Sequence, residues 1–110
     1  MSENVTYIKN GSLAKIVLNR SKNNPLDLIT LECLINCFQR SAKNEDSCVI
    51  LIAEGRNFTV GADLKYLHSL FSKPDNTTEF YQFSECFQDL TRVMINHPGI
   101  IIIGLHGWVI

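Results

Sequence analysis

The sequence has little of what marks several specialised classes of protein. Its 110 residues include 10 Lys and Arg against 11 Asp and Glu, so the excess of positive charge expected of a nucleic-acid-binding protein is missing. The first residues form neither a basic and apolar leader nor an Arg-rich targeting pattern, which favours a cytoplasmic location. No repeat or low-complexity tract is present. These absences predict a globular domain without nucleic acid or membrane as a partner.

Long hydrophobic runs are also missing. The most apolar segment, residues 100–110 with the sequence IIIIGLHGWVI, has about half the roughly 20 residues that a transmembrane helix needs. We interpret it as a buried strand. Because a domain rarely finishes on an uncovered apolar strand, we expect residues 1–110 to be the N-terminal half of a longer domain.

Cysteine is present without the spacing of a known metal or disulfide framework. Cys33, Cys37, Cys48 and Cys86 form no CxxC pair. Cys33 and Cys37 could face one metal ion from a helix, but further ligands at a suitable spacing are not apparent. We therefore expect core or surface thiols, no bound metal and no disulfide in a cytoplasmic chain.

The first half of the chain shows the pattern of a parallel α/β protein. Two β-rich runs flank Asn10-Gly11, which predicts a β-hairpin. Asp27 is placed to cap a helix whose apolar stripe is Leu28, Leu31, Leu34, Ile35, Phe38 and Ala42. The run SCVILIAEG, residues 47–55, then predicts a strand buried on both faces of a parallel sheet.

Two further helices are predicted in the second half. A short one has apolar residues at Leu64, Leu67, Leu70 and Phe71. A long one has an apolar face of Phe80, Phe83, Phe87, Leu90 and Met94. Asn76 and Glu79 resemble a capping box before it, and His97-Pro98-Gly99 ends it. We assign structural roles to His68, His97 and His106, because no nucleophile or orienting carboxylate is paired with them in the sequence.

Residues 56–67, RNFTVGADLKYL, carry the functional argument. They connect a predicted buried strand to a helix start near Ala62, at the carboxyl end of the sheet where ligands usually bind. Gly61 allows close approach of the backbone, and the first N–H groups of a helix are good donors to negative charge. From local chemistry, an ordinary strand-to-helix turn and a site for a developing anion both remain open.

This stretch resembles the signature of the crotonase superfamily, the enoyl-CoA hydratases and isomerases. Three more stretches match that family in order and spacing: IVLNRSKNNPLDLITLECL, VILIAEG and HPGIIIIGLHGWVI. The resemblance covers almost the whole chain. It implies an α/β fold, the crotonase-like ββα spiral of the ClpP/crotonase type, of which residues 1–110 would be a partial domain.

The resemblance also implies roles for particular residues. The backbone N–H of Ala62 would be one donor of an oxyanion hole for the thioester oxygen of an acyl-CoA. Residues 66–71 with Phe80 and Phe83 would help to line the acyl pocket. The implied residues that bind the CoA and acyl portions are Lys22, Asn23, Asn24, Pro25, Leu26, Gly61, Ala62, Asp63, Leu64 and Leu67. Coenzyme A would be part of the substrate, so no separate cofactor is implied.

The sequence departs from the family pattern in a few places. Ser21 replaces a Pro and Val60 replaces a small residue, and neither change removes a backbone donor. Gly99 lies where Lys-Pro-type neighbours are more common, which we treat as neutral. In the family, the second oxyanion donor and the acid/base glutamates come after the position of Ile110. We therefore expect the 110-residue chain alone to be inactive.

Two functions follow as alternatives. The first is a lyase or isomerase of fatty acid metabolism that stabilises a thioester enolate, as a homotrimer or a hexamer in its full-length form. Hydratase, isomerase, decarboxylase and hydrolase reactions all remain open, because they differ in groups placed around one oxyanion hole. The second is a truncated, non-catalytic module that binds CoA esters or pairs with another crotonase-type subunit.

Overall fold

The structure, a computed structural model, describes residues 4–72 and 77–110. One four-stranded sheet has the order β1-β2-β3-β4, and helices cover one of its faces. The elements are β1 (Val5–Asn10), β2 (Leu13–Leu18), α1 (Leu28–Lys43), β3 (Cys48–Ala53), α2 (Leu64–Phe71), α3 (Thr77–Ile95) and β4 (Ile100–Ile103). The predicted α/β class is confirmed.

The chain opens with the predicted β-hairpin. β1 and β2 pair antiparallel, and Asn10 is still paired, with Leu13 as its partner. The two loop residues are therefore Gly11 and Ser12, one position later than the Asn10-Gly11 turn that we expected. Gly11 has a φ of +65°, a backbone conformation that glycine adopts without steric cost.

The strand-helix-strand unit β2-α1-β3 follows, with β2 and β3 parallel as predicted. The Asp27 side chain accepts a hydrogen bond from Thr30 N at 2.9 Å and so caps α1. Leu31, Leu34 and Phe38 are buried against the sheet, while the other residues of the predicted stripe are partly buried. The periodic apolar residues therefore place α1 on the sheet.

β3 is not buried on both faces, contrary to the prediction. Val49 and Leu51 lie in the core, but Ile50 and Ile52, on the opposite face, are only partly buried. The cause is the layer arrangement: in residues 4–72 and 77–110, α1 and α3 pack together on one side of the sheet and no described element covers the other. An apolar run predicts a strand, but it does not show how many layers surround it.

The prediction of a buried last strand is also wrong. β4 pairs parallel to β3, but it is the edge strand, and Ile100 and Ile102 are 66% and 51% exposed. The strand ends at Ile103, and residues 106–110 continue beside residues 57–61 instead of in the sheet.

The two later helices have narrower buried faces than predicted. Of the predicted apolar stripe of α2, Leu67 and Leu70 turn inward, whereas Leu64 and Phe71 are 79% and 70% exposed. In α3 Phe83 is buried and Phe87 is exposed. α3 ends at Ile95, just before His97-Pro98 as predicted. Neither α2 nor any other described helix is long and apolar enough to cross a membrane.

Asn76, one member of the predicted capping box, lies outside the described residues. Glu79, the other member, accepts a hydrogen bond from the Tyr66 hydroxyl at 2.6 Å. This bond joins α2 to the first turn of α3.

Buried polar residues join α1 to the chain before β4, at the end of the sheet remote from α2. His97 Nε2 lies 2.8 Å from Ser41 Oγ, and His97 Nδ1 accepts a hydrogen bond from Gly99 N. Because a backbone N–H donates to Nδ1, the neutral ring carries its proton on Nε2 and donates it to Ser41. His97 therefore has the structural role that we predicted.

Candidate functional site

The site is built where β3 leaves the sheet and meets the loop that follows β2. Gly55 has a φ of +94°, and a Cβ there would lie 2.7 Å from the Lys22 Cα, so only glycine permits this approach. The backbone N–H groups of Arg56 and Asn57 both donate to the Lys22 carbonyl at 2.9 Å. The two loops are thus joined before α2 begins.

Asn24 holds these loops together from inside. It is fully buried, with a φ of +47°. Its Oδ1 accepts from Arg20 N at 2.9 Å, and its Nδ2 donates to the carbonyls of Glu54 at 2.8 Å and Asn57 at 3.1 Å. Since these bonds occupy the side-chain amide, Asn24 shapes the site and does not present its side chain to a ligand.

The backbone at Ala62 has an open donor. Leu26 N donates to Gly61 O, and Asp63 N donates to Leu26 O, both at 2.8 Å. Leu26 and Ala62 thus form a parallel β-bridge, in which both hydrogen bonds of Leu26 go to the residues on either side of Ala62. The N–H of Ala62 itself therefore points away from Leu26. Within residues 4–72 and 77–110 that N–H donates to no acceptor.

Asp63 begins α2. Its carboxylate accepts from Lys65 N at 3.0 Å and from Tyr66 N at 3.2 Å, which satisfies two donors of the first turn. Ala62 directly precedes this cap, so its N–H remains free at the positive end of the helix. The helix start predicted near Ala62 is thus present, as is the one predicted from Asp27.

Gly61 has a conformation that other residues adopt with difficulty. Its φ is +86°, and a Cβ would lie 3.2 Å from the Ile110 carbonyl oxygen. Its N–H donates to Thr59 Oγ1 at 3.0 Å, and that hydroxyl donates to Asn24 O at 2.7 Å. The peptide before Ala62 is therefore held in place by its neighbours.

Arg20 is a member of the site that the sequence argument missed. Its guanidinium lies 2.8 Å from the Asp63 carboxylate and 3.5 Å from that of Asp27, and it donates to the Pro25 carbonyl at 2.7 Å. Burial raises the pKa of Asp63, but the bonds from Arg20 and from the first turn of α2 outweigh burial and hold that pKa below its usual value. The sequence feature that could have indicated these contacts is a lone Arg at the end of a strand, together with an Asp before each of two helices.

A cleft of about 470 Å³ opens at this point. Its volume is within the range of small-molecule sites. The residues that line it are Arg20, Ser21, Asn23, Pro25, Val60, Ala62, Asp63, Leu64 and Lys65.

No model of a known protein family matches the chain, and no curated protein matches it in sequence. Solved structures do match it. A Legionella pneumophila protein assigned to the enoyl-CoA hydratases/isomerases (crotonases) superposes with a TM-score of 0.83 at 21% identity, over 94% of this chain and 40% of that protein.

The chain has the crotonase fold.

Two further structures agree. The enoyl-CoA hydratase of Bacillus halodurans has a TM-score of 0.84 at 16% identity and covers 96% of this chain and 43% of its own. The DspI protein of Pseudomonas aeruginosa has a TM-score of 0.81 at 21% identity, over 97% of this chain and 40% of its own. The chain thus spans less than half the length of these three proteins.

Within the crotonase fold, the cleft brings together half of the predicted substrate-binding residues: Asn23, Pro25, Ala62, Asp63 and Leu64. Asn24, Leu26 and Gly61 are buried supports behind them, and Leu67 packs against the core. Lys22 is exposed, and its carbonyl holds residues 56–57. Their binding roles stay predictions.

The aromatic residues that were expected to line an acyl pocket do not line this cleft. Phe83 lies in the core, with its ring centroid 5.2 Å from that of Tyr66. Burial first, and then the hydrogen bond to Glu79, raise the pKa of the Tyr66 hydroxyl above its ordinary value. Phe71 packs on Phe80 at 5.3 Å between centroids, further along α2.

The final segment of the chain runs beside the site. Phe58 N donates to His106 O at 2.9 Å, and Ile110 N donates to Thr59 O at 3.2 Å. The Ile110 carbonyl therefore lies against Gly61, next to Ala62. The residues in this contact are about 50 positions apart, and no local pattern in the sequence predicts it.

The four cysteines are free thiols, and none lines the cleft. Burial first, and then the neighbouring Cys33, raise the pKa of Cys37 to about 11, so that its thiolate is scarce at neutral pH. Residues 4–72 and 77–110 contain no group of three or more His, Cys, Asp and Glu side chains that could hold a metal ion.

Proposed function

We propose that this chain is the N-terminal part of an acyl-CoA-transforming enzyme that stabilises a thioester enolate with the backbone N–H of Ala62. The observation that supports the proposal most directly is that open donor. Ala62 lines a cleft of about 470 Å³, and its N–H is turned away from Leu26 by the two bonds on either side of it.

The chemistry explains why such a donor is useful. Removing a proton from an acyl thioester, or adding a nucleophile to an enoyl thioester, places negative charge on the carbonyl oxygen. A donor that is already aimed at that oxygen stabilises the transition state more than the substrate, and it needs no reorganisation during the reaction. The bonds made by Gly61 and Asp63 provide this prior orientation.

The position of Ile110 supports a second donor beside that of Ala62. The Ile110 carbonyl lies against Gly61, so a residue that follows Ile110 in the full-length protein starts beside Ala62. A donor from that residue would complete a two-donor oxyanion hole. Acid/base groups, acyl-chain preference and the trimer or hexamer belong to the rest of that protein.

The first experiment removes the donor from the full-length protein. Ala62→Pro deletes the N–H, whereas Ala62→Gly keeps it and is the matched control. Because one oxyanion donor contributes about 10²–10³ in kcat, we expect a loss of that size for Ala62→Pro and a much smaller change for Ala62→Gly, measured as hydration of a short enoyl-CoA. An Ala62→Pro protein with normal circular dichroism and unchanged kcat would refute the role of Ala62.

A second candidate function is supported by the exposed apolar surface. β4 is an edge strand with Ile100 at 66% exposure, and Trp108 is 65% exposed. An unpaired edge with apolar side chains can pair with another chain, as in a non-catalytic module that binds a crotonase-type subunit. Titration calorimetry with acetyl-CoA and a solution mass of the 110-residue chain test this candidate. A monomer without binding would contradict it.

A further inference from the structure

The Arg20 side chain joins the loop that follows β2 to the start of α2, which is distant from it in sequence. One nitrogen, Nη2, lies 2.8 Å from the carboxylate of Asp63 and 3.5 Å from that of Asp27. The other, Nη1, donates to Pro25 O at 2.7 Å. The Arg20 side chain is 25% exposed, so water screens these contacts less than it screens a surface ion pair.

These contacts lie on both sides of the bridge at Ala62. Pro25 directly precedes Leu26, the bridge partner of Ala62. Asp63 directly follows Ala62 and donates its N–H to Leu26 O. Arg20 therefore holds both strands of the bridge through side-chain contacts, independently of the backbone bonds between them. The planar fork of arginine suits this role, since it presents several donors in fixed directions, which lysine cannot do.

The charge of Arg20 acts at the same place. Asp63 carries its carboxylate one residue after the Ala62 N–H, and Asp27 places a second carboxylate near it. Unpaired, these carboxylates would oppose negative charge that develops next to Ala62. A guanidinium 2.8 Å from Asp63 reduces this repulsion.

We propose that Arg20 is a positioning residue, which fixes the direction of the Ala62 N–H and offsets the negative charge beside it. The inference rests on the proposed function for its catalytic meaning, because Arg20 acts through Ala62. Its structural content, the fixing of the Leu26–Ala62 bridge, is independent of any substrate.

The test compares Arg20→Met and Arg20→Lys in the full-length protein with a matched control, Arg92→Met. Arg92 pairs with Asp89 at 2.7 Å on α3, and both side chains are more than half exposed. Hydrogen exchange of the Leu26 and Asp63 amides, the two donors of the bridge, is measured by NMR. For Arg20→Met we expect roughly tenfold faster exchange, as the loss of one charge-assisted hydrogen bond gives. We expect a smaller increase for Arg20→Lys and none for Arg92→Met.

Unchanged exchange at Leu26 and Asp63 in Arg20→Met would overturn the inference, as would equally faster exchange throughout β2 and β3. If Arg20→Met does not fold, Arg20→Lys decides the question. Hydrogen-exchange rates equal to those of the unsubstituted protein would then show that the planar guanidinium is unnecessary.

A second readout separates the inference from the proposed function. The infrared stretching frequency of a bound enoyl-CoA, labelled with ¹³C at the thioester carbonyl, reports how strongly that carbonyl is polarised. We expect a lowered frequency in the unsubstituted protein and a return towards the free value in Arg20→Met, with Arg20→Lys between them. A full shift retained in Arg20→Met would overturn the positioning role. No shift in the unsubstituted protein would overturn the proposed function instead, and the exchange rates would still decide whether Arg20 fixes the bridge.

Discussion

Asn24 shows how much of the site depends on a single side chain. Its amide group forms hydrogen bonds to four backbone groups: Arg20 N, Ser21 N, Glu54 O and Asn57 O. The residue is fully buried and has a positive φ, which Asn tolerates better than most other residues. It therefore connects the loop before α1 with the loop after β3, although it does not line the cleft.

Replacing Asn24 by Ala should destabilise the protein strongly. The substitution leaves buried backbone groups without partners, and each such group costs about 1–3 kcal/mol. We expect the free energy of unfolding to fall by roughly 2–4 kcal/mol, measured by urea denaturation.

Asn36→Ala is the control for this measurement. Asn36 is exposed on α1, and its loss should change the free energy by no more than about 0.5 kcal/mol. Equal effects of the two substitutions would show that the Asn24 bonds contribute little.

Among the helices and strands, the N-terminal ends of α1 and α2 matter most for the site. Asp27 caps α1 and Asp63 caps α2, and both contact Arg20. Local sequence is sufficient to predict each cap, because an Asp before an apolar helical pattern is a common N-terminal signal. It is not sufficient to predict that the caps share a cation, since this depends on how α1 and α2 are placed.

A double-mutant cycle of Asp27→Ala and Asp63→Ala should reveal this shared cation. Each single change should cost about 1 kcal/mol of unfolding free energy through loss of a cap. The double change should cost more than the sum by roughly 0.5 kcal/mol or more, because only then is the Arg20 guanidinium left largely buried without a carboxylate.

Urea denaturation of the four proteins measures the cycle. When the cycle is repeated in an Arg20→Met background, the cost of the double change should equal the sum of the two single costs. Additive costs in the original background, within about 0.3 kcal/mol, would mean that the helix starts are independent.

For the whole molecule, charge-paired carboxylates at both ends of the sheet link stability to pH. Asp46 is buried where α1 meets β3 and accepts hydrogen bonds from Tyr7 and Lys9. Burial alone would raise the pKa of Asp46, but these bonds outweigh it and lower the pKa, as those to Asp63 do near the cleft.

The protein should accordingly lose stability in acid. A carboxyl group whose pKa is lower in the folded than in the unfolded state binds more protons when the protein is unfolded. Its contribution to stability is therefore present above the unfolded pKa and is lost as the pH falls through the folded pKa. We expect the free energy of unfolding to be nearly constant from pH 7 to about 5 and to decrease below that.

Asp46→Asn and Asp63→Asn should each make this decrease smaller, as measured by denaturation at a series of pH values. Asp89→Asn is the matched control, because Asp89 lies in an exposed ion pair. A pH dependence that neither buried substitution alters would contradict this account.

The site could be predicted only in part. Residues 56–67 mark the helix start, the glycine and the Asp cap, all of which depend on neighbours in sequence. Arg20 and the segment 106–110 were missed because their partners are distant: Arg20 contacts Asp63, and His106 bonds to residues 55 and 58. Nothing in the spacing of these residues shows that they meet.

The sequence by itself determined the local elements, namely the β1–β2 hairpin, the parallel β2-α1-β3 unit, the caps at Asp27 and Asp63 and the end of α3 before His97-Pro98. These follow from turn residues, apolar periodicity and capping, which act over a few residues. Only the tertiary structure decided that β3 has one open face, that β4 is an exposed edge, and that Leu64 and Phe71 point outward. Burial depends on which elements pack on each surface, and hence on contacts between residues far apart in the chain.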